Sequence, residues 1–183
     1  EGDISCPLLV DQGSNYTFLV SVSHDCCTYE AIYKPSRGER PLWDFTSGTL
    51  YKREYAAYII AQYLSWDLIP CTVIREGPYG IGSLQQFIDA DPRSSYFTLR
   101  DERSEELERI ALFDCISNNA DRKASHCFED RNGLIWSIDH GLTFHEDPKL
   151  RTVIWDFAEK PIPGYLMEQV AIFLDSLFSR QDL

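Results

Sequence analysis

An α+β fold is what this chain predicts, and three observations carry the prediction. Two β-rich runs, 16–22 and 28–34, come first. A helix-spaced segment and a glycine-turned hairpin follow over 50–88, and a second hairpin around Asn132-Gly133 then sits between two further helical stretches. The 183 residues suit one domain or two small lobes sharing a core. With 44% hydrophobic and 13% aromatic residues, that core needs no covalent staple.

Charge narrows the function. Lys and Arg number 17 against 29 Asp and Glu, a net charge of −12. Such a surface repels nucleic acid and anionic membrane, so neither is expected as a partner, while a nucleotide in a local basic pocket stays compatible. No signal peptide or long apolar run is visible, and a cytoplasmic location is expected. The six cysteines show no C-x-x-C pair and are expected as buried free thiols. A zinc site from His24, Cys26 and Cys27 is a weak possibility, because adjacent cysteines rarely both reach one tetrahedral ion.

In chain order, Gly13-Ser14-Asn15 makes a polar turn before the strand 16–22, and His24-Asp25 turns the chain into the strand 28–34. Pro35 ends that strand, and a charged stretch covers 36–41. Leu50, Tyr51, Tyr55, Tyr58, Ile59 and Tyr63 recur at helical spacing over 50–65, with Thr49 as N-cap. A strand over 69–75 and its partner over 83–88 flank the turn 76–82. The G-x-x-G-x-G in that turn lacks the strand-turn-helix setting of a phosphate loop and reads as a hairpin. Residues 89–101 read as irregular. A helix over 102–116 carries acids in its first half, as its dipole favours, with Leu107, Ile110, Ala111 and Asp114 on one face. A last helix over 164–180 places Leu166, Val170, Phe173, Leu174 and Leu177 on a core-facing stripe.

The chemistry concentrates in two places. Asp121 lies in the polar loop Asn118-Asn119-Ala120-Asp121-Arg122-Lys123, and His126 comes five residues later. Asp139, thirteen further on, ends an apolar strand before His140-Gly141. The hairpin between returns Asp139 to the side of His126, so imidazole and carboxylate land at one edge and suit a shared divalent metal. Imidazole suits Mn²⁺ better than Mg²⁺.

In the protein-kinase loop H-R-D-x-x-x-x-N the base aspartate and a metal-binding asparagine are also five apart. His126 stands at that asparagine's place, and Asp139-His140-Gly141 at the place of Asp-Phe-Gly. Ala31-Ile32-Tyr33-Lys34 is similar to the V-A-I-K strand that carries the phosphate-binding lysine. Together with Gly38-Glu39-Arg40-Pro41-Leu42-Trp43-Asp44-Phe45 and Gly48-Thr49-Leu50-Tyr51, these segments make the chain resemble the phosphatidylinositol 3-/4-kinase-like branch of atypical kinases, within it an uncharacterised bacterial family known from actinobacteria. The likeness covers most of the chain.

The resemblance implies a two-lobed protein-kinase-like fold with a reduced C-terminal lobe. Residues 1–88 would form the N-lobe, with a hinge near 85–88, and residues 89–183 a small, mostly helical C-lobe with the catalytic hairpin. It implies an ATP-dependent phosphotransferase using ATP with Mg²⁺ or Mn²⁺ and acting on an unidentified hydroxyl acceptor. Lys34 would pair with phosphates, Glu54 would hold Lys34, Asp121 would orient the acceptor hydroxyl, and Lys123 would neutralise the transferring group. Asp139 and His126 would bind metal. Ser14, Asn15, Tyr16 and Thr17 would cover the phosphates, and Gln85, Gln86, Phe87 and Ile88 would meet the adenine. Taken singly, Lys34 and Glu54 are ordinary surface residues; jointly with the loop they favour function. Residues 13–17 lack G-x-G-x-x-G, which argues against strong nucleotide binding by that loop, and no Ala-Pro-Glu follows Asp139, so a peptide platform of the usual size is not expected. The acidic balance also disfavours a phosphoinositide headgroup. The alternatives are a pseudokinase or nucleotide-binding regulatory module, a nucleotidyl transferase, and a metal-dependent hydrolase built on Asp121, His126 and Asp139.

Overall fold

The structure, a computed structural model, describes residues 2–10 and 15–179. Five strands form one antiparallel sheet in the order β1-β2-β3-β5-β4. They are β1 (Asp3–Val10), β2 (Thr17–His24), β3 (Cys27–Pro35), β4 (Thr72–Gly77) and β5 (Gly80–Gln86). Helix α1 (Leu50–Tyr63) links β3 to β4 and packs on β4 and β5. The remainder carries α2 (Tyr96–Leu99), α3 (Ser104–Ser117), the two-stranded β6 (Cys127–Glu129) and β7 (Ile135–Ser137), and α4 (Gly164–Phe178), joined by long irregular segments. The fold is thus mixed α/β. Among the described residues no helix is long and apolar enough to cross a membrane.

The β2–β3 hairpin follows period two. Val20, Ala31 and Tyr33 turn inward with Leu84 of β5, and Asp25 takes the left-handed turn position at φ 51°. The larger core joins Ala57 and Ala61 of α1 to Leu107, Ile110 and Phe113 of α3, Cys127 and Ile135 of the small hairpin, and Leu166 and Phe173 of α4. Helix α1 therefore packs on the sheet and on the helical core at once, which makes it the element that can relate residues of the two.

Several expectations need correction. β1 was not expected; Pro7 and the register shift between Ser5 and Leu8 interrupt its alternation, as an edge strand tolerates. Thr49 does precede α1, but its hydroxyl donates to Thr46 O at 2.6 Å and caps nothing; its carbonyl accepts the first helical bonds instead. The stretch 89–101 is not wholly irregular: Ser95 and Thr98 form a reciprocal capping box around α2. On α4, Leu166 and Phe173 are buried, whereas Leu174 and Leu177 are exposed. The thiols differ as well: Cys26, Cys27, Cys71 and Cys115 are free and exposed, and Cys127 is buried. Residues Gly13 and Ser14 and the expected helix end at Arg180 lie outside the described residues.

The glycine-rich turn is a packing feature. A Cβ on Gly77 would meet the Tyr33 ring at 2.7 Å, and one on Gly82 would meet Lys34 O at 2.3 Å. The close approach of β5 to β3 at Gly82 sets the backbone of Lys34. Gly82→Ala is expected to lose about 2–3 kcal/mol of stability in urea denaturation, because the obstructing atom is backbone and must shift. A variant as stable as the parent would contradict this approach.

Candidate active site

Lys34 lies near the end of β3, opposite Ser83. Its Nζ donates to Glu54 Oε1 at 2.5 Å and to Asp139 Oδ1 at 2.9 Å, joining residues 105 apart in sequence. Glu54, 3% exposed in the middle of α1, accepts with its other oxygen the His140 N–H at 3.0 Å. One carboxylate thus ties the sheet's lysine to the 138–141 turn. Burial disfavours the Lys34 ammonium, but Asp139 and Glu54 outweigh it and hold the amine above its ordinary value. Lys34 in turn holds the Asp139 carboxyl below the usual carboxylate range, against the effect of burial. Burial pushes Glu54 up, with Lys34 and the His140 amide pulling the other way.

Asp139 takes the left-handed region at φ 62°. Aspartate tolerates that region better than most residues, at a cost on the order of 1 kcal/mol. The turn is fixed on both sides, with Ile138 N–H donating to His126 O at 3.0 Å and His140 N–H to Glu54. The hairpin brings His126 Nε2 to 3.3 Å from Asp139 Oδ2. Burial pushes the His126 imidazole below its ordinary value, with Asp139 opposing, so the ring is neutral near pH 7.

These groups line one end of a cleft of about 810 Å³. Asn15, Tyr16 and Thr17 line it from the start of β2, Gln85, Gln86, Phe87 and Ile88 from the end of β5, and Asp121 and Lys123 from the polar loop. Ser14, also expected here, lies outside the described residues. Lys123 Nζ pairs with Asp121 Oδ2 at 2.7 Å. The strip 85–88 differs in detail from expectation. Gln85 turns its amide to Thr72 Oγ1 at 2.8 Å, Gln86 N–H donates to Cys71 O, and Phe87 N–H donates to Glu30 O. These groups serve the sheet, which leaves the Ile88 N–H as the strip's backbone donor that bonds no other group among the described residues.

His126 and Asp139 fit a metal by their spacing. Two neighbouring ligands of an octahedral ion with bonds of about 2.1 Å stand about 3 Å apart, close to the separation of these facing atoms. A neutral imidazole has the lone pair such an ion needs, although the buried His126 Nδ1 has no partner among the described residues to orient the ring. Among the described residues no group of three or more His, Cys, Asp or Glu side chains converges on a cation site. Neither a zinc site of His24, Cys26 and Cys27 nor a three-ligand hydrolase centre of Asp121, His126 and Asp139 is formed.

Sequence reasoning missed two features. Glu39 lines the cleft and accepts the Tyr51 N–H at 3.0 Å at the start of α1. Asp114 and Arg122 form an ion pair with both side chains fully buried. The signal for the pair was legible: Asp114 shares the apolar face of Leu107 and Ile110, where an acid requires a buried cation.

The fold is kinase-like. A Helicobacter pylori proinflammatory kinase, CtkA, superposes with a TM-score of 0.52 over 82% of this chain at 13% identity, and this chain spans 61% of that kinase's length. Protein Rv2133c of Mycobacterium tuberculosis is 37% identical over 97% of this chain and 76% of its own length, and the chain belongs to the family of that protein. No family model matches.

His140 gives the site a pH signature. Burial, with the Arg122 guanidinium beside it, holds this imidazole well below its ordinary value, so the folded chain keeps it neutral. In the unfolded chain it gains a proton as pH falls through about 6.5, so the unfolded state binds more protons and acid destabilises the fold. Stability is expected to be full above that pH and to drop by roughly 1 kcal/mol per pH unit below it. His140→Asn keeps an acceptor for Arg122 without titrating, and should lessen the dependence between pH 7.5 and 5.5 in denaturation midpoints, leaving the share that the buried His126 contributes. An unchanged slope would assign the effect elsewhere.

Proposed function

We propose that the chain is an ATP-dependent phosphotransferase of the phosphatidylinositol 3-/4-kinase-like atypical type, two-lobed and cytoplasmic, with an unidentified hydroxyl acceptor. The observation that carries this reading is the meeting of Lys34, Glu54, Asp139 and His126 at one end of a cleft lined elsewhere by the 85–88 strip. Phosphoryl transfer asks mainly for positioning and charge neutralisation, which this set supplies. The kinase named as a structural neighbour supports the same class.

In this reading the Ile88 N–H reads the adenine edge, and Asn15, Tyr16 and Thr17 cover the phosphates. Lys34, held by Glu54, pairs with phosphate oxygens. His126 and Asp139 would hold Mg²⁺ or Mn²⁺, whose charge offsets that of the phosphates when bound. Asp121 accepts the hydroxyl proton of the acceptor, and Lys123, now on Asp121, faces the transferring group. A small molecule or a protein can supply the hydroxyl.

The direct Lys34–Asp139 bond favours a second reading, because Lys34 already spends its charge on two carboxylates of the protein rather than facing a phosphate. In that reading the chain is a pseudokinase that binds nucleotide without turnover. Incubation with Mn²⁺ or Mg²⁺ and labelled ATP separates the two. Release or transfer of γ-label that falls on the order of 100-fold or more in Asp139→Asn and in Lys34→Met supports the enzyme. Binding with no turnover over long incubation supports the pseudokinase, and retention of α-label on protein would identify nucleotidyl transfer.

A further inference from the structure

We propose that Arg122 is a positioning residue that holds Asp121 and Asp139 in one arrangement through its buried pair with Asp114. The inference rests on the phosphotransferase reading for the roles of the two aspartates. Arg122 touches neither carboxylate. It reaches the 138–140 turn on both sides of Asp139: Nη1 donates to Ile138 O at 3.0 Å, and Nη2 lies 2.9 Å from His140 Nε2. Its remaining donors clasp Asp114, with Nε at 2.9 Å from Oδ2 and Nη2 at 2.8 Å from Oδ1.

Asp114 passes the constraint to the other aspartate. Asn119 Nδ2 donates to Asp114 Oδ1 at 2.8 Å, and Asn119 Oδ1 accepts the Asp121 N–H at 3.0 Å. Asp114 and Asn119 are, like the Arg122 side chain, closed to solvent. Helix α3 thus supplies one fixed carboxylate, and a single guanidinium on it indexes both the acceptor-side loop and the metal-side turn. An apolar side chain of similar volume would fill the space at least as favourably, since burying an ion pair is costly. What it could not do is present donors from one planar fork to two separate segments, α3 and the 138–140 turn. Lysine could not either, because its three donors radiate from one point.

The test compares Arg122→Gln, Asn119→Ala and Leu107→Ala, the last a cavity in the same core that leaves the network intact. Amide exchange at Asp121 and His140 is measured without ligand, and Mn²⁺ affinity is measured by electron paramagnetic resonance with a non-hydrolysable ATP analogue. Arg122→Gln should speed exchange at both amides by tenfold or more and weaken Mn²⁺ binding 10- to 100-fold. Asn119→Ala should free Asp121 alone. Leu107→Ala should lower stability without singling out either amide or changing Mn²⁺ affinity. If Arg122→Gln does not fold, Arg122→Lys carries the same expectation at smaller amplitude.

An Arg122 variant indistinguishable from Leu107→Ala overturns the inference, as does Asn119→Ala freeing both amides equally. If the parent chain binds no Mn²⁺ with the analogue, the functional reading falls, and the exchange pattern still decides whether Arg122 couples the two segments.

Discussion

Glu54 makes two bonds in opposite directions, and the candidate site depends on them. One oxygen takes the ammonium of Lys34 from the sheet, and the other takes the His140 amide from the turn that carries Asp139. Because the carboxylate sits in the middle of α1, the same helix that packs on β4 and β5 also fixes the distance between lysine and aspartate. Arg53, its neighbour, adds a bond to Phe144 O at 2.9 Å and extends the tie along the following segment. Removing Glu54 would leave the Lys34 ammonium with Asp139 alone and the turn without its buried acceptor.

Two cations bracket the Asp139 turn from different sides. Lys34 faces the carboxylate from the cleft, and Arg122 grips the flanking backbone and His140 from the interior. That arrangement explains how a non-glycine residue stays in the left-handed region, since the bonds on either side of it leave no relaxed alternative. It also explains how so acidic a chain keeps cations at and behind its cleft: the net charge describes the whole sequence, while Lys34 and Arg122 are held in place by fixed carboxylates.

Much of this was legible in the sequence, and the parts that were not have physical reasons. The hairpin turn at Asn132-Gly133 placed His126 beside Asp139, although β7 stops at Ser137 and the strand expected to reach Asp139 is two residues shorter, because turn chemistry is local. The helix over 50–63 could be read from its aromatic spacing, although its cap could not, since Thr49 satisfies its hydroxyl on Thr46. β1 escaped because a proline and a register shift hide the alternation of an edge strand. The use of Gln86 and Phe87 amides by Cys71 and Glu30 could not be read at all, because it depends on which strands neighbour β5. The pairing of Asp114 with Arg122 lay between: the misplaced acid was visible, and its partner needed the fold.

The packing of α1 has one more consequence. Ala57 and Ala61 are fully buried, and such small side chains let the helix backbone sit close to the core. A close-packed helix has little freedom to swing outward, so the contact between Glu54 and Lys34 is already made in the free chain. A ligand that needs this contact therefore meets it already made. Its apparent affinity is not diluted by a rare competent state, as it would be if the helix had first to rotate into place.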